Sequence, residues 1–209
     1  TPRSTPFLFA IGASVAFSLG AALPIAILWV FPWWSHGILT AIAAAAESGV
    51  PLRVAGAGPE AARAKKLAAE LSAPVEFLGR IDGQALVAAR MGAAFAVLPS
   101  EWREVLPLSA LEALAAGLPL VTSQRGGLPE LTEADLTVEP GSISQLAETM
   151  RALHDDSVRR QAVGERALAR ARERFSEEAF APRLEALYSE ALEARKLAMR
   201  SPISSPASS

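Results

Sequence analysis

Residues 101–121 read EWREVLPLSALEALAAGLPLV, and this stretch decides how the chain around it is interpreted. It opens with a polar segment that contains Glu104, continues with a helical pattern that contains Glu112, and ends in an apolar run after Gly117. Glycine is typical of the position that follows a helix, because it adopts the left-handed conformation at little cost. The stretch therefore predicts a loop, a helix and a strand in succession.

The same succession recurs on both sides of that stretch, where short apolar runs alternate with helical patterns. Continuous apolar strands separated by helices are typical of a parallel sheet that is covered on both faces. We therefore predict an α/β fold: a Rossmann-like parallel sheet with helices on both faces and a helical C-terminal extension. The predicted strands lie at residues 51–58, 74–79, 93–100, 118–123 and 134–140.

The chain divides into three parts. Residues 1–35 form an anomalous apolar segment, residues 36–200 contain the predicted sheet with its helices, and residues 201–209 form a Ser/Pro tail that is predicted to be disordered. The first segment has three interpretations: a membrane span, a local reading-frame error, or an insertion packed on the domain. As a span it would place its tryptophans at the membrane interface.

The composition excludes several classes of function. The chain has 209 residues, a formal net charge of −2, two histidines and no cysteine. The charge balance and the lack of a basic stripe argue against nucleic-acid binding. Disulfides, thiolate chemistry and metal sites built from cysteines or several histidines are excluded. Because the first residue is Thr1 and not Met, we expect the chain to be a piece of a longer protein.

Two glycine turns follow predicted strands. Gly56 and Gly58 lie between a strand and a helix, where glycine lets a ligand approach the backbone and the helix start offers free N–H groups to an anion. Gly126 and Gly127 lie in the turn at the carboxyl end of the strand at residues 118–123. Each turn is also consistent with an ordinary connection between elements, so both interpretations stay open.

The two glutamates of the opening stretch are the strongest candidates for a site. Glu104 follows a predicted strand, and Glu112 lies about two turns into the next helix, from where we expect it to point toward the same crevice. A carboxylate beside a buried helix face needs a partner. The partner is either a pair of sugar hydroxyls or an arginine, Arg80 or Arg125. The expected buried face consists of Leu108, Leu111, Leu114 and Ala115.

Together these residues resemble a known family. The two glutamates with seven residues between them, the run EALAAGLPLV and the sequence GGLPE at residues 126–130 are similar to the signature of the family 4 retaining glycosyltransferases, which have the GT-B fold. The upstream sequences LRVAGAGPE and VEFLGRI resemble the nucleotide-binding half of that family. The resemblance runs from about residue 36 to residue 188 and covers only the C-terminal, donor-binding domain.

The resemblance implies a role for each candidate residue. Glu112 would bind the ribose hydroxyls of a nucleoside-diphosphate sugar, and Glu104, the catalytic candidate, would contact hydroxyls of the donor sugar. The backbone amides of Leu106, Leu108 and Ser109 would lie near the diphosphate, at a helix N-terminus that favours negative charge.

Four further positions are donor-binding candidates by the same resemblance. Arg80 and Ile81 would meet the base through backbone atoms, while Gly58 and Gly127 would let the backbone approach the donor. The family generally needs no metal, because protein cations and amides neutralise the diphosphate charge. We therefore expect no cofactor and no metal, with the nucleoside-diphosphate sugar as substrate.

The chain departs from the family pattern before residue 36. The family shows a strand followed by Gly-Arg and a short loop that ends in Lys-Gly, and the two cations bind the diphosphate. Here the strand is expected at residues 6–12, Ala13 takes the place of the arginine and His36 takes the place of the lysine. Loss of both cations would remove on the order of several kcal/mol of transition-state stabilisation.

The sequence thus predicts the donor-binding half of a retaining glycosyltransferase that acts on a glycan, lipid or small-molecule acceptor. The N-terminal GT-B domain is the expected partner, so these residues alone should give no turnover. We expect a cytoplasmic location, with membrane association as an alternative. The competing functions are a truncated or decayed nucleotide-sugar-binding module without turnover, and a sugar-nucleotide epimerase of the same two-domain architecture.

Overall fold

The computed structural model describes residues 36–200. The strand predicted at residues 6–12, the position of Ala13 and the tail at 201–209 lie outside the described residues. The elements in chain order are α1 (His36–Ser48), β1 (Leu52–Ala55), α2 (Ala61–Glu70), β2 (Val75–Gly79), α3 (Gly83–Met91), β3 (Ala96–Leu98), α4 (Leu108–Ala115), β4 (Leu120–Ser123), two short 3-10 turns (Leu128–Glu130 and Ala134–Leu136), β5 (Thr137–Val138), α5 (Ile143–Asp155), α6 (Ser157–Phe175) and α7 (Glu177–Arg200).

The strands pair in parallel, as the sequence predicts. β1 pairs with β2, with Leu52 opposite Val75, and β4 lies between β3 and β5, with Val121 opposite Val97. The predicted α/β class with parallel strands, flanking helices and a helical C-terminal extension is therefore confirmed. Among residues 36–200 the strands form two sheets, of two and three strands, where the sequence predicts one.

The three-stranded sheet has the better-packed core. All four residues of β4 are buried, and the apolar residues of α4 and α6 pack against its first half. Gly164 of α6 lies so close to the turn after α4 that a Cβ atom on it would be 2.4 Å from the carbonyl oxygen of Gly117. The residues of this cluster are Ala110, Ala113, Leu114, Leu118, Leu120, Leu128, Leu131, Ala167 and Ala171.

Helix α1 joins the two sheets. Ala44 and Ala45 pack with Leu146 of α5 in the core around Val121, whereas Ile42 packs against α2 on the side of the two-stranded sheet. Arg151 of α5 fixes the end of α1, because its guanidinium donates to the carbonyl oxygens of residues 47 and 48 at 2.7 and 3.3 Å. A cation at a helix C-terminus is favourable, since the carbonyls there carry partial negative charge.

The buried face predicted for α4 is wrong in part. The buried residues of this helix are Ala110, Ala113 and Leu114, whereas Leu108 is 74% exposed. The helix begins at Leu108, so Glu112 lies just over one turn from its start and not two.

The C-terminal helices are confirmed, and they differ in how they pack. Arg170 of α6 donates to the carbonyl oxygen of Leu131 at 2.9 Å, and Arg166 binds Glu133, so α6 is tied to the segment after β4. Helix α7 leaves several apolar side chains exposed, among them Phe180 and Tyr188. No helix within residues 36–200 is both long enough and apolar enough to cross a membrane.

Candidate functional site

The carboxyl ends of the parallel strands carry nearly all the candidate residues. Parallel strands place these ends at one edge of a sheet, and ligands of doubly wound folds bind in the crevice there. The turn at residues 56–58 follows β1, Arg80 and Ile81 follow β2, the loop at 99–107 follows β3, and the turn at 124–127 follows β4. The loop and the turn that follow β3 and β4 are in direct contact.

Gly126 and Gly127 bring the turn after β4 against the loop after β3. The N–H group of Gly127 donates to the carbonyl oxygen of Glu104 at 2.7 Å. A Cβ atom on Gly126 would lie 2.1 Å from that same oxygen, and a Cβ atom on Gly127 would lie 2.1 Å from the carbonyl oxygen of Val105. Any side chain at either position would therefore push the two segments apart. The close approach at this turn is between two parts of the chain, and the approach of a donor to Gly127 stays a prediction.

The side chain of Glu104 is half-buried and held in place. The hydroxyl of Ser100 donates to its Oε1 atom at 3.1 Å, and Ser123 donates to the carbonyl oxygen of Ser100. These bonds fix the position of the Glu104 carboxylate from both β3 and β4. Because a carboxylate accepts several hydrogen bonds, the remaining acceptor positions of Glu104 are available to hydroxyl groups of a ligand.

Sequence reasoning missed Glu101 as a site residue, although it is the first residue of the stretch EWREVLPLSALEALAAGLPLV. The hydroxyl of Thr40 in α1 donates to Glu101 Oε1 at 3.4 Å, and the position of a Cβ atom on Gly141 would be 3.6 Å from the same oxygen. Glu101 thus lies between α1 and the turn that precedes α5. The separation of 61 residues between Thr40 and Glu101 hides this contact from sequence patterns.

The start of α4 offers unpaired N–H groups beside Glu104. The N-cap residue Pro107 has no side chain that can accept a hydrogen bond, and its carbonyl accepts only from Ala110 and Leu111. The N–H groups of Leu108 and Ser109 have no acceptor among the residues that the structure describes. Free N–H groups at a helix start, together with the helix dipole, favour an anion. The neighbouring Leu106 is exposed on the same loop.

Glu112 makes an ion pair with Arg90 of α3. Its Oε2 atom contacts Nη2 of Arg90, and the side chains are 51% and 21% exposed. The structural ion pair considered from sequence is therefore present, but its partner is neither Arg80 nor Arg125. Arg90 was not anticipated because it lies 22 residues away on a different helix. A role for Glu112 in binding ribose stays a prediction.

The turn after β1 lines a separate recess. Gly56 and Gly58 border a cavity of about 370 Å³ with Ile38, Val54 and Phe77. A Cβ atom on Gly58 would meet no atom within 4 Å, so packing within residues 36–200 does not require glycine there. Exposed backbone beside a recess of this size leaves ligand approach as the open interpretation.

The residues after β2 are the least constrained candidates. Arg80 is exposed and Ile81 is half-buried. The structure records no hydrogen bond from the Arg80 side chain to another residue of the described chain. Their contact with a nucleotide base, like the absence of a metal and of a cofactor, stays a prediction.

The family of the chain follows from comparison with known proteins. The model of the family "Glycosyl transferases group 1" matches residues 35–170, which include the Glu104 loop, α4 and the glycine turn. The chain belongs to this family of glycosyl transferases. The recognition made from the glutamates, the EALAAGLPLV run and the GGLPE sequence is thereby confirmed.

Curated relatives agree with the family. The chain is 32% identical over 148 residues to a GDP-mannose-dependent monoacylated alpha-(1-6)-phosphatidylinositol monomannoside mannosyltransferase of Corynebacterium glutamicum, a match that covers 67% of this chain and 39% of the relative. It is 37% identical over 121 residues to the D-inositol 3-phosphate glycosyltransferase of Corynebacterium aurimucosum, covering 56% of this chain and 28% of that protein. The chain thus spans well under half the length of these relatives.

Solved structures show the same fold. Sucrose-phosphate synthase of Thermosynechococcus elongatus superposes with a TM-score of 0.65 at 28% identity, covering 76% of this chain and 43% of that chain. Anabaena HepE in complex with UDP and glucose superposes with a TM-score of 0.65 at 23% identity, covering 76% of this chain and 46% of that chain. The Rossmann-like architecture expected from the resemblance is confirmed.

Proposed function

We propose that this domain binds a nucleoside-diphosphate sugar at the carboxyl edge of its strands and presents the sugar for transfer to an acceptor. The observation that carries the proposal is the pair of N–H groups at Leu108 and Ser109, which have no acceptor within residues 36–200, beside the fixed carboxylate of Glu104. The N–H groups suit a diphosphate, and the carboxylate suits the hydroxyls of a sugar. Both lie on one short segment, as the two halves of such a donor require.

The glycine turn supports this assignment by fixing the segment. The bond from Gly127 to the Glu104 carbonyl and the close approach at Gly126 hold the loop after β3 in one position. A preorganised loop keeps its donors and acceptors aimed at the ligand without a cost of rearrangement. Substrate and catalytic groups that are held in register account for much of the rate enhancement of a transfer reaction.

The proposed reaction is a transfer with retention. The bond between the anomeric carbon of the sugar and the β-phosphate oxygen breaks, and a bond from the same carbon to an acceptor oxygen forms on the same face. The proton of the acceptor hydroxyl passes to the departing diphosphate. Glu104 positions the sugar through its hydroxyls, while the amides of Leu108 and Ser109 stabilise the negative charge that develops on the diphosphate.

In this proposal Glu112 binds the ribose of the donor. Its carboxylate is about half exposed, and Arg90 occupies only its Oε2 atom. An ionised carboxylate has enough acceptor positions to keep the arginine and also accept from hydroxyl groups. The ion pair would then orient Glu112 for the nucleotide.

The nucleoside is guanosine or uridine, by analogy with the named relatives. The mannosyltransferase of Corynebacterium glutamicum is GDP-mannose-dependent, and Anabaena HepE was solved with UDP. The acceptor, a glycan, lipid or small molecule, meets the donor from a second domain, because this chain corresponds to 39% of the mannosyltransferase. Turnover is therefore expected only when that domain is supplied.

Titration calorimetry with UDP, GDP and ADP tests donor binding. We expect one nucleotide to bind the parent chain. Glu112→Gln should lower the affinity for that nucleotide, and Glu104→Gln should lower the affinity for its sugar conjugate. A nucleotide at a hundred times its dissociation constant should also raise the free energy of unfolding by about 2.7 kcal/mol. Glu148→Gln is the matched control, since Glu148 is exposed on α5.

Two results would contradict the proposal. If no nucleotide binds at millimolar concentration, the crevice is not a donor site. If a nucleotide binds equally well to the parent and to Glu112→Gln, the ribose is held elsewhere. If the sugar conjugate binds but no sugar is transferred after the N-terminal GT-B domain has been added, the result would favour the alternative function, a nucleotide-sugar-binding module without turnover.

A further inference from the structure

Three arginines lie on one face of helix α6. Arg166, Arg170 and Arg174 follow one another at intervals of one helical turn, and side chains at this spacing are neighbours on the helix surface. All three bind the segment at residues 128–133, which follows the glycine turn after β4. Helix α6 therefore holds this segment at three points along its length.

The middle arginine makes the contact that is shielded from water. Arg170 donates to the carbonyl oxygen of Leu131 at 2.9 Å, and this bond is partly buried, whereas the bonds of Arg166 and Arg174 are exposed. A hydrogen bond from a charged donor is stronger than one between neutral groups, and shielding from water strengthens it further. Arg170 is therefore the arginine that fixes the backbone of the 128–133 segment.

Short backbone hydrogen bonds connect this segment with the Glu104 loop. The N–H group of Leu131 donates to the carbonyl oxygen of Leu128 at 3.0 Å, and the N–H group of Glu130 donates to that of Gly127 at 3.1 Å. Gly127 in turn donates to the carbonyl oxygen of Glu104 at 2.7 Å. The backbone that Arg170 binds is thus connected to Glu104 through consecutive hydrogen-bonded turns.

Buried side chains make the 128–133 segment move together with its surroundings. Leu128 and Leu131 are both 0% exposed, and they pack in one cluster with Ala167 and Ala171 of α6. Protein interiors are close-packed, so a group that is displaced moves its neighbours. Loss of the Arg170 bond should therefore reach the glycine turn, and through it the Glu104 loop, as a change in position.

We propose that Arg170 is a positioning residue for the donor site and keeps the Glu104 carboxylate aligned with the hydroxyls of the donor sugar. The inference rests on the proposed function, because it concerns the same carboxylate. Arg170 does not contact the donor and acts through Leu131 and Gly127. Groups that are held in their binding geometry bind a ligand without the cost of ordering them. Donor binding thus depends on a helix that supplies none of the candidate site residues.

Calorimetric titration with UDP-glucose and GDP-mannose tests this role. Arg170→Met keeps the aliphatic part of the side chain and removes the hydrogen-bond donor. The affinity for the sugar conjugate that the parent binds should fall about tenfold or more, since a misplacement of about 1 Å at a site can cost about a hundredfold in rate. If Arg170→Met does not fold, the more polar Arg170→Gln takes its place in each comparison.

Two further variants separate the bond from the charge. Arg170→Lys keeps a charged donor and should recover most of the affinity that Arg170→Met loses. Arg172→Met removes the same charge from the same helix, but Arg172 is exposed and the structure records no bond from its side chain to a residue of the described chain. Arg172→Met should therefore bind the donor as the parent does. An equal loss in Arg172→Met and Arg170→Met would overturn the proposal.

A double-mutant cycle with Glu104→Gln distinguishes positioning from a general loss of structure. If Arg170 acts through Glu104, the double variant should bind the sugar conjugate about as weakly as the weaker of the two single variants. The reason is that the altered Glu104 side chain no longer depends on being held in place. Losses in affinity that simply add would overturn the proposal, because they would show that Arg170 acts by another route. Parent affinity in a folded Arg170→Met chain would also overturn it.

Amide hydrogen exchange without ligand distinguishes this inference from the proposed function. The N–H group of Gly127 should exchange faster in Arg170→Met than in the parent and in Arg172→Met, while the amides of β4 keep their protection. A parent that binds neither UDP-glucose nor GDP-mannose would overturn the proposed function, and with it the role of Arg170 in donor binding. A parent that binds one of them, with unchanged exchange at Gly127 in Arg170→Met, would overturn the inference about Arg170 alone.

Discussion

β4 and β1 are both four-residue parallel strands that begin with leucine, yet their surroundings differ. β4 lies between β3 and β5 and is buried throughout, whereas among residues 36–200 β1 pairs with β2 alone and has no buried residue. Within the described residues, β4 is the strand that has a neighbour at each edge, and it is also the one whose residues are all buried. The fixed parts of the candidate site, Glu104 and the glycine turn, lie on the side of β4.

The largest expected effect compares the first leucine of each strand. Leu120→Ala should lower the free energy of unfolding by about 2–5 kcal/mol, because Leu120 is 2% exposed in a close-packed cluster. Leu52→Ala should cost clearly less, since Leu52 is only half-buried. Urea denaturation of both variants measures the difference. Equal costs would contradict the comparison and would show that Leu52 is packed in solution as closely as Leu120.

The next prediction compares two glycines on the two sides. Gly127→Ala should destabilise the chain by about 1–3 kcal/mol, because its Cβ atom would lie 2.1 Å from the Val105 carbonyl oxygen and would push the Glu104 loop away. Gly58→Ala should leave stability within about 1 kcal/mol of the parent, since no atom lies within 4 Å of its Cβ atom.

Thermal denaturation and nucleotide titration of both glycine variants separate packing from binding. If the donor site is as proposed, Gly127→Ala also loses nucleotide affinity through the displaced loop. A folded Gly127→Ala chain with the stability and affinity of the parent would contradict the fixed geometry of this turn.

The third prediction compares two buried threonines near β4, in the three-stranded sheet. The hydroxyl of Thr132 donates to the carbonyl oxygen of Leu120, so Thr132→Val should cost about 1–3 kcal/mol. The hydroxyl of Thr122 has no partner within the described part of the chain, so Thr122→Val should be neutral or stabilising. Chemical denaturation distinguishes the two. A large loss from Thr122→Val would show that this hydroxyl has a partner outside residues 36–200.

The smallest effect concerns pH. Arg166 binds Glu133 through two hydrogen bonds of 2.6 and 3.0 Å and lowers the pKa of that carboxyl. A lowered folded-state pKa stabilises the fold above the unfolded pKa, and this contribution is lost as pH falls through the folded value. Glu133→Gln should therefore be slightly less stable than the parent at pH 7.

The difference between parent and Glu133→Gln should disappear in acid. Unfolding measured from pH 7 down to pH 2 tests this, with Glu148→Gln as an exposed control on α5 that should match the parent at pH 7. A difference that persists at the lowest pH would show that the variant acts through packing and not through the ionised carboxylate.

Sequence patterns predicted the elements better than their contacts. The strand and helix at residues 93–115, the glycine turn and the family were all identified from local runs and spacings. The predicted strand at 51–58 was too long, because glycines end β1 at Ala55. The buried face of α4 was wrong in part, and neither arginine suggested for Glu112 pairs with it, because helical periodicity does not show which neighbour a residue meets.

The sequence by itself determined the family, the parallel α/β class and the order of elements, because these depend on local propensity and on motifs within a few residues of one another. Tertiary structure decided that Gly126 and Gly127 hold the Glu104 loop in place and that Glu112 pairs with Arg90. Those features join residues that are distant in the chain, and only the packing of strands and helices brings them together.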